Sequence, residues 1–296
     1  MDSNEVVNAF QNDSLGSDDA VGIANKIKKG ELSASLVTQD AIERAKAVNP
    51  KLNAITVENF DLAQTNSEKP FTGFFQGVPT FIKDTDEVPG LPLYLGSRSL
   101  PGEPSDKYSK AAKQIIDTGL NCLGTTTTPE FGLTGTTESL RFGATCNPWN
   151  TAYSTGGSSG GSSALVAAGV IPIAHANDGA GSIRIPASCC GLVGLKASRG
   201  RIKDKEVPGY LPANILHDGV VTRSVRDTWA FHAEIEKNIP ATEFPPIGDI
   251  SESFPKNLKI AVLTENCLGE NSSAELVQAT HDLSLIHISE PTRLDD

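Results

Sequence analysis

The segment from Gly156 to Ser188 constrains this chain more than any other. It reads GGSSGGSS over 156–163, ALVAAGVIPIAHA over 164–176 and NDGAGSIRIPAS over 177–188. A solvated Gly/Ser linker would not run directly into thirteen residues that carry no charge at neutral pH. Glycine tolerates positive φ and lets backbone approach a ligand closely. Two Gly-rich loops joined by a buried segment therefore predict two walls of one site. The first wall offers serine hydroxyls and the second offers Asp178, Ser182 and Arg184.

Charge and composition bound what such a site can serve. A net charge of −11 over 296 residues opposes binding to nucleic-acid backbones or anionic membranes. Hydrophobic residues at 38% and charged residues at 21% fit a globular protein with a sizeable core. The longest apolar run, 164–176, is too short to span a bilayer and contains Gly169 and Pro172. Five cysteines without C-x-x-C spacing read as free thiols of a reducing compartment. The first residues, MDSNEVVNAFQNDS, show neither the basic nor the apolar region of a secretory leader, so the cytoplasm is the expected location.

Helix and strand signals alternate along the chain. Residues 1–17 read as disordered or loosely attached. DDAVGIANKIKKG starts acidic and ends basic, the order a helix dipole favours, and Gly30 closes it. SLVTQDAIERAKAV reads as a second helix capped by Ser33 or Ser35 and stopped at Asn49-Pro50. LNAIT over 52–56 reads as a weak strand, and GVPTFIKD over 77–84 as a turn and buried strand that delivers Lys83. Residues 106–118 read as helix and LNCLG over 120–124 as strand. ALVAAG over 164–169 is expected to be a short helix leaving the Gly/Ser loop, with VIPIAHA over 170–176 as the next strand. VRDTWAFHAEIEK over 225–237 reads as helix and LKIAVLT over 258–264 as buried strand. The alternation predicts an α/β layered sheet protein.

Several chemistries can be weighed from the residues alone. The G-x-S-x-G elbow pattern occurs twice, centred on Ser158 and Ser159, but NPWNTAYST before it is no convincing strand. Only His217 and His232 could complete a Ser–His pair downstream. His175 and Asp178 make a poor metal signature, and His175 reads as a satisfied core or rim histidine. Cys189 and Cys190 read as a buried structural pair, and no phosphate-binding or dinucleotide fingerprint is present. A serine can instead use a neutral lysine as base. Bringing a lysine from ~10.4 to about 7 takes roughly 4–5 kcal/mol of differential destabilisation, which burial can supply. Lys83, leaving the apolar VPTFI, could be held inside, or could leave the strand end for solvent and pair with Asp84.

Together these residues resemble the amidase signature family of serine hydrolases. The stretch 156–201 resembles that family's signature almost throughout, and GVPTFIKD at 77–84, TTTTPEFG at 125–132 and GATCNPW at 143–149 support it. The spacing of Lys83, Ser158 and Ser182 also matches the family's catalytic residues. The resemblance implies an α/β/α layered mixed sheet and a Ser–cisSer–Lys triad without metal or cofactor. Ser182 would be the nucleophile, Ser158, preceded by a cis peptide, the proton relay, and Lys83 the base. Backbone N–H groups of Gly179, Ala180, Gly181 and Ser182 would form the oxyanion hole. Asp178 and Arg184 would brace that loop as a charge pair, with Ser159 as a supporting hydrogen-bond partner. The implied partner is a small-molecule amide, with no direct nucleic acid and no membrane; a homodimer stays open.

Departures from the pattern carry expectations of their own. Ala180 stands where many members have Gly, at a cost of roughly 1 kcal/mol if the loop needs positive φ there. Thr125 and Thr127 replace a common Lys and Asn in the pocket wall. NPWN and HANDGAGSIRIPAS lean toward members that hydrolyse 6-aminohexanoate cyclic dimers. Two other readings stay open: an A-type subunit of a glutamine amidotransferase, and an inactive fragment or binding protein. Members continue well past residue 282, so the C-terminal half of the sheet and pocket is expected to be missing. LSLIHISEPTR at 283–293 resembles a translated sequencing adapter, so 283–296 is expected to be a non-native tail after an amidase signature domain over 18–282.

Overall fold

The computed structural model describes residues 4–202, 215–237, 244–248, 262, 264–265 and 268–287. The chain divides into two units, Met1–Ile250 and Ser251–Asp296. The first opens with α1 (Ala20–Lys28), α2 (Ala34–Leu52), β1 (Ile55–Glu58), α3 (Phe60–Ser67), β2 (Pro79–Lys83), α4 (Lys110–Ile116) and β3 (Asn121–Thr126). Four short strands follow: β4 (Glu138–Ser139), β5 (Gly143–Ala144), β6 (Cys146–Asn147) and β7 (Asn150–Ser154). Then come α5 (Gly160–Ala167), β8 (Ile173–Asp178), α6 (Arg184–Cys190), β9 (Val193–Gly194), β10 (His217–Thr222) and α7 (Val225–Glu236). Within the second unit the described helix is α8 (Ala274–His287).

Two small sheets meet where the site lies. One is mixed, in order β1-β3-β2, with β3 antiparallel to β1 and parallel to β2. The other is antiparallel, in order β8-β10-β9, with His217 opposite Asp178 and Val220 opposite His175. β2 and β3 are buried along their whole length, as strands covered on both faces must be. β2 lies beside β8, and the Thr80 hydroxyl donates to the Ile173 carbonyl at 3.0 Å. This is the mixed, layered α/β architecture that the alternation of elements predicts.

Side chains far apart in sequence close the helix ends. Asp19 caps α1 through the Gly22 N–H, while buried Asp227 on α7 accepts from Ala20 and Val21 N–H at 2.9 and 2.8 Å. Burial, working against those two N–H groups, pushes the Asp227 carboxyl up to about 6. Ser33 caps α2, and the helix runs through Pro50 to a left-handed Asn53, past the expected stop. The reason is Asn49: its side-chain oxygen accepts from Ala54 and Ile55 N–H, and its carbonyl from Asn53 N–H. That stitching offsets the hydrogen bond proline cannot make. Residues 4–17, expected to be loose, carry no helix or strand yet are anchored. Val7 and Leu15 are buried, and Arg44 reaches from α2 to Asp13 and to the Gln11, Gly16 and Gly169 carbonyls.

Boundaries shift in three further places. α4 is shorter than the 106–118 reading, α5 starts at Gly160 inside the Gly/Ser octet, and β8 begins at Ile173 and continues to Asp178. The last shift carries Asn177 and Asp178 onto the strand rather than into the loop. Most of the strand expected over 258–264 lies outside the described residues, as do residues 288–296, whereas α8 crosses residue 283.

Candidate active site

β2 delivers Lys83 at its buried end. Lys83 Nζ, with no solvent exposure, is hydrogen-bonded to Ser158 Oγ at 2.6 Å and to Asn177 Oδ1 at 2.7 Å. Ser158 lies in the loop between β7 and α5, itself buried, and its peptide bond to Gly157 is cis. Gly157 fits there because a Cβ would sit 2.5 Å from the Thr136 carbonyl oxygen, a contact with rigid backbone. The hydroxyl of Ser159 exchanges 3.3 Å contacts with both main-chain groups of Asn177, and its N–H donates to the Ser182 carbonyl at 3.3 Å. Ser159 thus ties the first Gly-rich loop to β8 and to the second loop.

The second loop is wound around Asp178. That buried carboxylate accepts from Gly181 N–H at 2.6 Å and Ile183 N–H at 3.2 Å, and from Arg184 Nε and Nη2 at 2.9 Å each. Burial pushes its pKa up, but the Arg184 fork and the loop N–H groups outweigh burial and hold it at about 2. Ser182 follows in the turn before α6, half-buried, with its hydroxyl in no hydrogen bond to a described residue. The loop's positive φ falls on Gly181 (+127°) and not on Ala180, so the alanine carries no left-handed strain. Of the four N–H groups the resemblance assigns to an oxyanion hole, that of Gly181 is bonded to Asp178 Oδ1.

Behind Lys83 sits a buried cluster that the sequence reading passed over. The Lys83 N–H donates to His175 Nδ1 at 3.1 Å, which leaves the imidazole proton on Nε2, facing Asp218 Oδ1 at 3.1 Å. Asp86 Oδ2 lies 3.9 Å from the same Nε2 and accepts from the Thr85 hydroxyl, while Asp86 Oδ1 accepts from that of Ser109. Ligand atoms of Asp86, His175 and Asp218 fall within 4.8 Å of one another, a spacing a metal could use. A metal on Nε2 would move the proton to Nδ1 and set it against the Lys83 N–H. The cluster is thus a hydrogen-bonded mount for the lysine backbone, and His175 is the satisfied core histidine expected. Asp84, beside Lys83, is pushed up to about 6 by burial, against the N–H groups of Tyr94 and Gly96.

Other candidates fall away from the chemistry. His232 is buried, held down at about 4 by burial and then by His217 and Arg201, and its ring nitrogens bond to no described residue. Cys190 is buried, with a thiol pushed up to about 12, while Cys189 is exposed, so the two are not a buried pair. Thr125 bonds Thr56, and Thr127 bonds Thr145 and the Ala54 carbonyl. Asn177 was missed as a site residue, although its place two residues after His175 on an alternating strand puts both side chains on one face.

The site is thus a buried lysine hydrogen-bonded to a buried serine, with two glycine-rich loops beside it. The Amidase family model matches residues 36–284, and the chain belongs to that family. AmiC of Mycobacterium tuberculosis is 47% identical over 281 residues, covering 94% of this chain and 59% of that protein. The 6-aminohexanoate-cyclic-dimer hydrolase of Paenarthrobacter ureafaciens is 40% identical over 268 residues, covering 85% of this chain and 53% of its own length. A solved structure of 6-aminohexanoate cyclic dimer hydrolase superposes with a TM-score of 0.70 at 38% identity, over 80% of this chain and 50% of that one. The chain thus spans little more than half the length of these relatives.

Proposed function

We propose that the protein hydrolyses carboxylic amides through an acyl-enzyme on Ser182. Ser158 takes the Ser182 proton as it passes its own to neutral Lys83, and Ser182 Oγ attacks the amide carbonyl carbon. N–H groups of Gly179, Ala180 and Ser182 hold the oxyanion. When the C–N bond breaks, the proton returns from Lys83 through Ser158 to the leaving amine. Water then attacks the ester and releases the carboxylate. The observation that carries this reading is the 2.6 Å contact between Lys83 and Ser158, both buried. Family membership supports the reaction class, and the name of the 40% identical relative favours cyclic or linear amides of small carboxylic acids as substrates. No helix among the described residues is long and apolar enough to cross a membrane; the free-thiol composition favours the cytoplasm.

The reading is tested by labelling with a fluorophosphonate and mapping the adduct by mass spectrometry. Ser182 is expected to carry it, and Ser182→Ala to abolish it. An adduct on Ser158 or on another serine would reassign the nucleophile.

A further inference from the structure

We propose that Asn177 is the positioning residue that holds Lys83 against Ser158, and that it does so through a neutral acceptor. This rests on the acyl-enzyme reading above and adds a residue to it. Asn177 Oδ1 accepts from Lys83 Nζ at 2.7 Å, almost as closely as Ser158 Oγ does. Its amide cannot turn over, because Nδ2 donates to Thr85 Oγ1 at 2.6 Å and that hydroxyl goes on to Asp86. Its backbone is fixed as well, through both contacts with Ser159 Oγ.

The chemistry of the acceptor matters as much as its place. Both oxygens at hydrogen-bond distance from Nζ in these contacts are neutral, one a hydroxyl and one an amide. A neutral acceptor orients the amine without the strong preference for ammonium that a carboxylate imposes. The carboxylates nearby have hydrogen-bond partners of their own. Asp84 accepts from Tyr94 and Gly96 N–H, and Asp86 from the Thr85 and Ser109 hydroxyls. Asp178 is held by Arg184, and Asp218 faces His175. Of the elements packed on β2, β8 brings His175 and Asp178, β3 only the Cys122 thiol, and α5 no ionisable side chain. α2 brings its buried Arg44, which is tied to Asp13, and the charged residues of its outer face.

Asn177→Asp keeps the shape and the acceptor toward Lys83, adds a charge there, and gives up the Nδ2 donor to Thr85. An opposite charge within about 4–6 Å raises a lysine by roughly 1–3 pH units. The second-order rate of fluorophosphonate labelling at Ser182, followed against pH, is therefore expected to keep its alkaline plateau. The midpoint of its acid limb should rise by at least one unit, a loss of tenfold or more at pH 7. Asn177→Ser, which withdraws the acceptor without adding charge, should lower labelling at every pH and leave the midpoint in place. Circular dichroism checks each fold. A midpoint in Asn177→Asp within half a unit of wild type overturns the inference. If that variant does not fold, Asn177→Ser decides, and labelling at the wild-type rate overturns it. Lys83→Met separates the two readings: unimpaired labelling there removes the lysine base itself, whatever Asn177 does.

Discussion

Asp178→Asn probes how the loop that carries Ser182 is held. The aspartate gathers Gly181, Ile183 and the Arg184 fork, and its carboxyl sits at about 2 instead of its ordinary 3.8. At about 1.4 kcal/mol per unit, that difference corresponds to roughly 2 kcal/mol of folding stability at neutral pH. The Arg184 side chain is 53% exposed, so solvent screens its share and the figure is an upper one for the ion pair alone. Asparagine adds a second cost, since its NH2 group faces donors where an oxygen stood; a buried donor left unsatisfied costs about 1–3 kcal/mol. Asp178→Asn is therefore expected to lose about 3 kcal/mol in urea unfolding at pH 7. The sign with pH follows from the lowered folded pKa: the contribution is complete above 3.8 and disappears as pH falls through about 2. The gap between wild type and variant should narrow over that window. A loss under about 0.5 kcal/mol at pH 7, or a gap that widens on acidification, would refute the argument.

Two further outcomes follow from the same geometry. Gly181→Ala places a Cβ at φ +127° and 2.7 Å from Ile185 Cδ1, so the turn that presents Ser182 must shift. Amide hydrolysis is expected to fall at least tenfold, on the scale of about 1–3 kcal/mol of backbone strain, and activity within twofold of wild type would exclude a strained turn. For Asp227, whose folded pKa is raised to about 6, the sign is opposite: its contribution is complete below 3.8 and is lost as pH rises through about 6. Relative to Asp227→Asn, wild type should lose about 3 kcal/mol of stability between pH 3.5 and 7 in urea titrations, and a difference constant with pH would contradict the assignment.

The legible parts of this protein were those set by local pattern. The Gly/Ser octet, the apolar run and the NDGAGS turn announced two loops around a site, and the end of β2 announced a buried lysine. What stayed hidden depends on partners distant in sequence. Asn177 meets Lys83 across 94 residues, and Asp227 caps α1 across more than 200, neither of which periodicity reports. Pro50 was a misleading stop because the side chain of its neighbour Asn49 rebuilt the helix end. The Gly181 N–H is bonded to the Asp178 carboxylate, which β8 places, a contact the Gly-rich pattern does not report.

The central claim is that Lys83, acting through Ser158, activates Ser182 toward amides. Its most direct test is the hydrolysis of a small-acid amide panel, linear and cyclic, with glutamine included, by wild type and by Lys83→Ala and Ser158→Ala. The account predicts turnover of at least one carboxylic amide by wild type. It predicts a fall of about 10²-fold or more in both variants, the scale of a lost acid–base group. Undiminished turnover in Lys83→Ala would contradict it.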